Sequence, residues 1–169
     1  MKNLIVYYSW TGSTREAAKA VADAVGGDLC ELKERGKRRG VWGFIKGGFQ
    51  ASLGIGSRIE GALPDPAAYD AVYIGTPVWA SNTCAAFNAL LKGWAGQTGE
   101  TPVHVFALMA DHGGDDKVEA AVGKKLQKAG MRPGAYAWFP GVIPNQEWPQ
   151  EARASVRQAA AKWAEEAAR

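Results

Sequence analysis

Cysteine and histidine are scarce here, with two of each among 169 residues. Cys30 and Cys84 are too few for a disulfide framework, and the separated His104 and His112 give no zinc-ligand spacing. No apolar run approaches the ~18 residues of a membrane-crossing helix. The apolar start, residues 4–10, is too short for a secretory leader and passes into Thr11-Gly12-Ser13-Thr14-Arg15. A soluble, reduced, cytoplasmic protein without a membrane span is therefore expected. The sequence also lacks G-x-x-x-x-G-K, which excludes a P-loop for nucleoside triphosphates. Acidic residues are missing from one stretch: Arg35, Lys37, Arg38, Arg39, Lys46 and Arg58 have no acidic residue among them. Of the 20 basic and 17 acidic residues, the rest of the chain thus holds 14 and 17. A mildly acidic domain carries one basic segment. Such a patch suits nucleic acid, an anionic lipid surface or an acidic protein partner, and a solvated connection explains it equally well. No nucleic acid is predicted as a partner.

What is present is ordinary for a globular chain. Apolar residues make up 47% and charged residues 22%, and the length suits one domain spanning 1–169. Residues 3–8 read as a buried strand, followed by a Ser/Thr/Gly turn and a helical pattern over 14–25 that Gly26-Gly27 ends. A short strand is predicted at 28–33. Residues 35–66 form an irregular, glycine-rich basic segment in which 41–49 carries large apolar side chains, as a poor helix or an anchored loop. Gly54-Ile55-Gly56 follows no strand and lacks the third glycine of a dinucleotide fingerprint. Strands at 71–75, 103–108 and 135–139 then alternate with helices at 83–92, 115–129 and 149–168. This order predicts an α/β fold: a three-layer, doubly wound sandwich around a five-stranded parallel sheet.

In such a sheet, ligands bind where strand order reverses, at the carboxyl ends of the strands. Three loops meet there. The first, Ser9-Trp10-Thr11-Gly12-Ser13-Thr14, offers hydroxyls and backbone N–H groups at a helix start, which suits a phosphate dianion. A helix cap from Ser13 or Thr14 is the plain alternative. The second, Thr76-Pro77-Val78-Trp79-Ala80, puts a tryptophan at a loop tip, well suited to stacking on a flat ring. The third, Asp111-His112-Gly113-Gly114, allows close backbone approach, and helix capping explains its neighbouring aspartates better than a metal does. Together they describe a site for a mononucleotide with a flat ring. Cys84 opens a helix, where a thiolate is favoured, yet a small buried side chain explains it better. His104, between Val103 and Val105, reads as a satisfied core or edge histidine.

At this point the sequence resembles the flavodoxin family. The match rests on Ser9, Thr11, Gly12 and Thr14 in the first loop, on Gly75-Thr76-Pro77-Val78-Trp79, and on the order of elements along nearly the whole chain. The resemblance implies strand order 2-1-3-4-5, a short-chain type and non-covalent FMN. The implied FMN contacts are Ser9, Trp10, Thr11, Gly12, Ser13, Thr14, Thr76, Pro77, Val78, Trp79, Ala80, Asp111, His112, Gly113 and Gly114. It further implies an electron carrier between a reductase and an acceptor, as a monomer or weak dimer. Alternatives are an NAD(P)H-dependent quinone or FMN reductase on the same fold and a flavin-free partner-binding domain. Three departures stand out. The third loop has no aromatic besides His112, the pI is about 8.9 where flavodoxins are acidic, and the connection after the second strand is long. Flavodoxins also flip a peptide toward the reduced flavin, most easily at glycine, and residues 76–91 contain none.

Overall fold

The computed structural model describes residues 1–35, 57–79, 82–110, 115–143 and 145–169. The apolar 41–49 stretch, Gly54-Ile55-Gly56, Ala80, Asp111, His112, Gly113, Gly114 and most of the basic segment lie outside the described residues.

Strand alternation builds both faces of the sheet. In β1 (Asn3–Tyr7) every residue is buried, and successive side chains go to opposite faces. Leu4 and Val6 join one core cluster, Ile5 and Tyr7 the other. β3 (Ala71–Trp79) and β5 (Pro102–Met109) divide their side chains in the same way, as a sheet covered on both sides requires. With β2 (Gly27–Glu31) and β6 (Arg132–Pro140) they form parallel pairs in the order β2-β1-β3-β5-β6. That is the predicted 2-1-3-4-5 order plus one short antiparallel strand, β4 (Asn82–Thr83), which pairs with β3.

Helices complete the three layers. α1 (Ser13–Val25) and α4 (Gln150–Ala167) pack on the Ile5–Tyr73–Phe106 face through Ala17, Val21, Val156, Ala160 and Ala164. The Trp163 ring meets Tyr73, Phe106 and Phe139 edge-on at 5.9–6.3 Å. α2 (Ala85–Gly93) and α3 (Asp115–Lys128) cover the other face with Phe87, Leu90, Leu91, Val118, Val122 and Leu126. No helix among the described residues is long and apolar enough to cross a membrane.

Several boundaries move from their expected places. β3 does not end at Gly75 but runs on to Trp79, because Val78 and Trp79 find partners in Thr83 and Asn82. The stretch read as a loop is therefore half of a hairpin, and α2 begins at Ala85 rather than at residue 83. β2 starts at Gly27, one residue early, and Leu29 on it is exposed, since β2 ends the sheet. The predicted second strand overshoots at Leu32, which is buried beyond the strand's end.

Gly75 fixes how closely the central strands approach. A Cβ there would lie 2.5 Å from the Phe106 ring and 2.9 Å from the Tyr7 Cβ. Beyond β2, the Arg35 N–H donates to the Arg58 carbonyl and the Glu60 N–H to the Lys33 carbonyl, both at 2.8 Å. Glu34 and Ile59 form an antiparallel bridge between them. The chain leaves after Arg35 and returns before Arg58 at one pinned place, beside Tyr8, whose hydroxyl donates to Glu34 at 2.9 Å.

Candidate functional site

The site lies at the carboxyl ends of β1, β3 and β5, and its firmest part is the turn from β1 into α1. Ser9 shapes this turn: its Oγ accepts the Gly12 N–H at 3.1 Å and the Arg15 N–H at 3.3 Å. Gly12 is the N-cap, with φ 98° in the left-handed region that favours glycine. The plain alternative, a cap from Ser13 or Thr14, is not what the turn uses, because Gly12 occupies the cap position and supplies no side chain. The Glu16 N–H reaches the Gly12 carbonyl at 3.1 Å. Helix geometry then leaves the first-turn N–H groups of Ser13 and Thr14 without an acceptor in the helix. Thr11, exposed, shares a hydrogen bond with the buried Ser13, Oγ1 to Oγ 3.1 Å. Trp10 is half-buried and packs against the α2–α3 side of the core. What emerges is a cluster of backbone donors and hydroxyls at the positive end of α1.

Arg15 adds a cation in that first turn, but its guanidinium pairs with Glu31 on β2, which also accepts from the Tyr7 hydroxyl at 3.4 Å. A fourth loop, unforeseen from sequence, reaches the turn as well. The Val142 N–H, just beyond β6, donates to Ser13 Oγ at 3.3 Å, and the Gly141 N–H donates to the Met109 carbonyl at 2.7 Å. Only the rule that ligands gather at carboxyl strand ends pointed toward it.

The second wall is the β3–β4 hairpin. Thr76 is fully buried and its hydroxyl turns inward, 3.0 Å from the Pro77 carbonyl and 3.4 Å from Cys84 Sγ. Pro77 and Val78 are half-buried, and Trp79 ends β3. Cys84 is fully buried, and burial pushes its thiol pKa up, so the thiolate is disfavoured despite the helix start.

Lys125 on α3 meets the same hairpin from below. Its Nζ donates to Asn82 Oδ1 at 2.7 Å, Thr83 Oγ1 at 2.6 Å and Asn88 Oδ1 at 2.9 Å. All three oxygens are neutral, and burial pushes the ammonium pKa down. Sequence gave no sign of it, since one lysine among the polar residues of an amphipathic helix reads as solvated.

Among the described residues, no three His, Cys, Asp or Glu side chains converge as a metal site would need. The Ser9–Thr14 turn and the stretch from Thr76 to Trp79 follow the adjacent, paired ends of β1 and β3, where Tyr7 lies opposite Gly75 and the Tyr8 N–H donates to the Gly75 carbonyl at 3.1 Å.

No family model matches this chain, and no curated protein matches it. Solved structures do. A putative flavoprotein from Bacteroides uniformis superposes with a TM-score of 0.72 at 24% identity, over 94% of this chain and 96% of the other. A flavoprotein from Lactobacillus acidophilus, solved in complex with FMN, gives 0.70 at 21% identity, over 81% and 92%. An NAD(P)H:quinone oxidoreductase from Methanothermobacter marburgensis gives 0.55 at 14%, over 100% and 98%. At these identities the likeness shows a shared fold, and that fold is flavodoxin-like.

Proposed function

We propose that this flavodoxin-like chain binds FMN without a covalent bond and passes electrons between a reductase and an acceptor. The observation that carries the reading is the start of α1, where a left-handed glycine cap leaves the Ser13 and Thr14 N–H groups without an acceptor in the helix. A terminal monophosphate fits there, with the Thr11 hydroxyl as a further donor. Ser9 holds the turn in shape, and the absence of a P-loop lysine argues against a polyphosphate. Trp10, Pro77, Val78, Trp79, Ala80 and the 111–114 loop complete the site around the ring. Bound flavin supplies the electron chemistry; the protein excludes water, orients the ring and sets the potential through charge and hydrogen bonds.

Reconstitution of the purified protein with FMN and with riboflavin tests this. Hydrogen bonds to a charged group contribute ~1.5–3 kcal/mol each. FMN should therefore bind far more tightly than riboflavin, and Thr11→Ala should weaken FMN binding by roughly one to two decades. Equal affinities for FMN and riboflavin would remove the phosphate assignment.

A second reading, an NAD(P)H-dependent quinone reductase, draws support from the hairpin. Val78 and Trp79 sit in register with Thr83 and Asn82, and a backbone so paired resists the rearrangement that favours one-electron steps. Steady NAD(P)H oxidation with a quinone acceptor identifies a reductase; a carrier shows none.

A further inference from the structure

We propose that Lys125 is a positioning residue for the ring-binding wall. Its ammonium fastens the β3–β4 hairpin to α2 and α3 and places a positive charge behind that wall, favouring the reduced flavin. The inference rests on the FMN reading above.

Two observations lead to it. Lys125 joins three separate elements: Asn82 and Thr83 belong to β4, Asn88 to α2, and Lys125 itself to α3. β4 is only two residues long and pairs with β3 alone. A strand that short has little cohesion of its own, so a charged donor that reaches two of its side chains at 2.6–2.7 Å and Asn88 at 2.9 Å anchors it beyond the β3 pairing. Holding Asn82 and Thr83 also holds their partners Trp79 and Val78, the residues assigned to the flavin side.

The second point is charge. A half-buried cation normally stands beside a carboxylate, whereas the three partners of Lys125 among the described residues are all neutral. Arg15 and Arg157, by contrast, each meet acidic side chains. The Lys125 charge is therefore not cancelled by its partners among the described residues and, being partly out of water, is less screened by salt. Burial lowers its pKa, which means the fold bears a cost to keep an ammonium there. An apolar side chain of similar length, such as methionine, would fill the space without that cost and without the charge. Two electrons and one proton, delivered by a reduced mediator and by solvent, leave one negative charge on a flavin ring. A nearby cation stabilises that form over the neutral oxidised one.

The test compares wild type, Lys125→Met and Lys125→Arg in three measurements. These are hydrogen exchange over 76–83 in the apoprotein, FMN affinity by fluorescence quenching, and the two-electron midpoint potential against a reference dye. In Lys125→Met the hairpin amides should exchange about tenfold faster and FMN should bind about tenfold more weakly. Its preference for reduced over oxidised flavin should also fall about tenfold, a potential lower by ~30 mV. Lys125→Arg, which keeps the charge, should hold the potential near wild type even where affinity recovers only in part. Equal potentials in wild type and Lys125→Met overturn the electrostatic role, and unchanged exchange overturns the anchoring role; in both cases FMN binding by wild type still stands. Failure of wild type to bind FMN overturns the functional reading and this inference together. If Lys125→Met does not fold, Lys125→Gln, which keeps a donor but no charge, takes its place with the same expected potential.

Discussion

His104 shows how one side chain can hold an irregularity in a sheet. Val103 pairs with Pro133 and Val105 with Tyr136, so two residues of β6, Gly134 and Ala135, face one of β5. The extra Ala135 N–H is taken by His104 Nδ1 at 2.9 Å, and the imidazole stacks on Tyr73 with centroids 4.8 Å apart. Burial pushes the His104 pKa below its usual value. The unfolded chain then binds this proton more tightly than the folded one, so the stability from His104 is complete above pH ~6.5 and is lost as pH falls below it. Urea unfolding between pH 7 and pH 5 should show that loss in wild type, and a smaller slope in His104→Gln. A satisfied histidine was legible from its place between two valines; its partner was not, because a bulge on another strand leaves no mark in local sequence. At Gly12 the left-handed backbone makes the expectation simpler. Gly12→Ala should cost ~1–2 kcal/mol of stability, seen as a lower unfolding midpoint, and should weaken FMN binding by tilting the first-turn N–H groups.

At the scale of elements, the alternation of apolar strands and helices made the parallel sheet readable, because the central strands β1, β3 and β5 are buried on both faces and each helix carries a stripe. β3 was the exception. Thr76 and Pro77 look like the end of a strand, yet pairing with Ala107 and Leu108 on one side and the β4 hairpin beyond it extends β3 by four residues past Gly75. Local propensity could not foresee this, since the partners lie elsewhere in the chain. The same pairing bears on the flavin. A peptide at Val78 would have to leave the ladder to reach a reduced ring, and a β-branched residue resists the left-handed form by ~1–2 kcal/mol. The two one-electron potentials should accordingly lie close together. Val78→Gly should separate them, raising the one-electron form by about a decade in its formation constant. Anaerobic photoreduction followed by visible absorption checks this; an intense one-electron band already in wild type would contradict it.

For the whole molecule, charge is unevenly placed, with an acidic body and the basic stretch around Arg35 and Arg58. Exposed charges at a rim act mainly on the rate of encounter. Charge reversal at Arg35 and Arg58, both exposed, should slow electron transfer to an acidic redox partner and flatten its dependence on salt while leaving FMN affinity unchanged. Stopped-flow measurement across ionic strengths decides this. The pairing at the foot of this stretch has a consequence for how the protein can vary. Arg35 and Arg58 face each other as the closing pair of a hairpin, so everything between them is, in topological terms, a graft on a finished stem. Replacing 36–57 by Asn-Gly would make that stem an ordinary two-residue turn, and the shorter loop would cost less entropy to close. Natural and engineered relatives of this chain can therefore trade that graft for others of different length and chemistry, acquiring new partners while the sheet beneath is inherited unchanged.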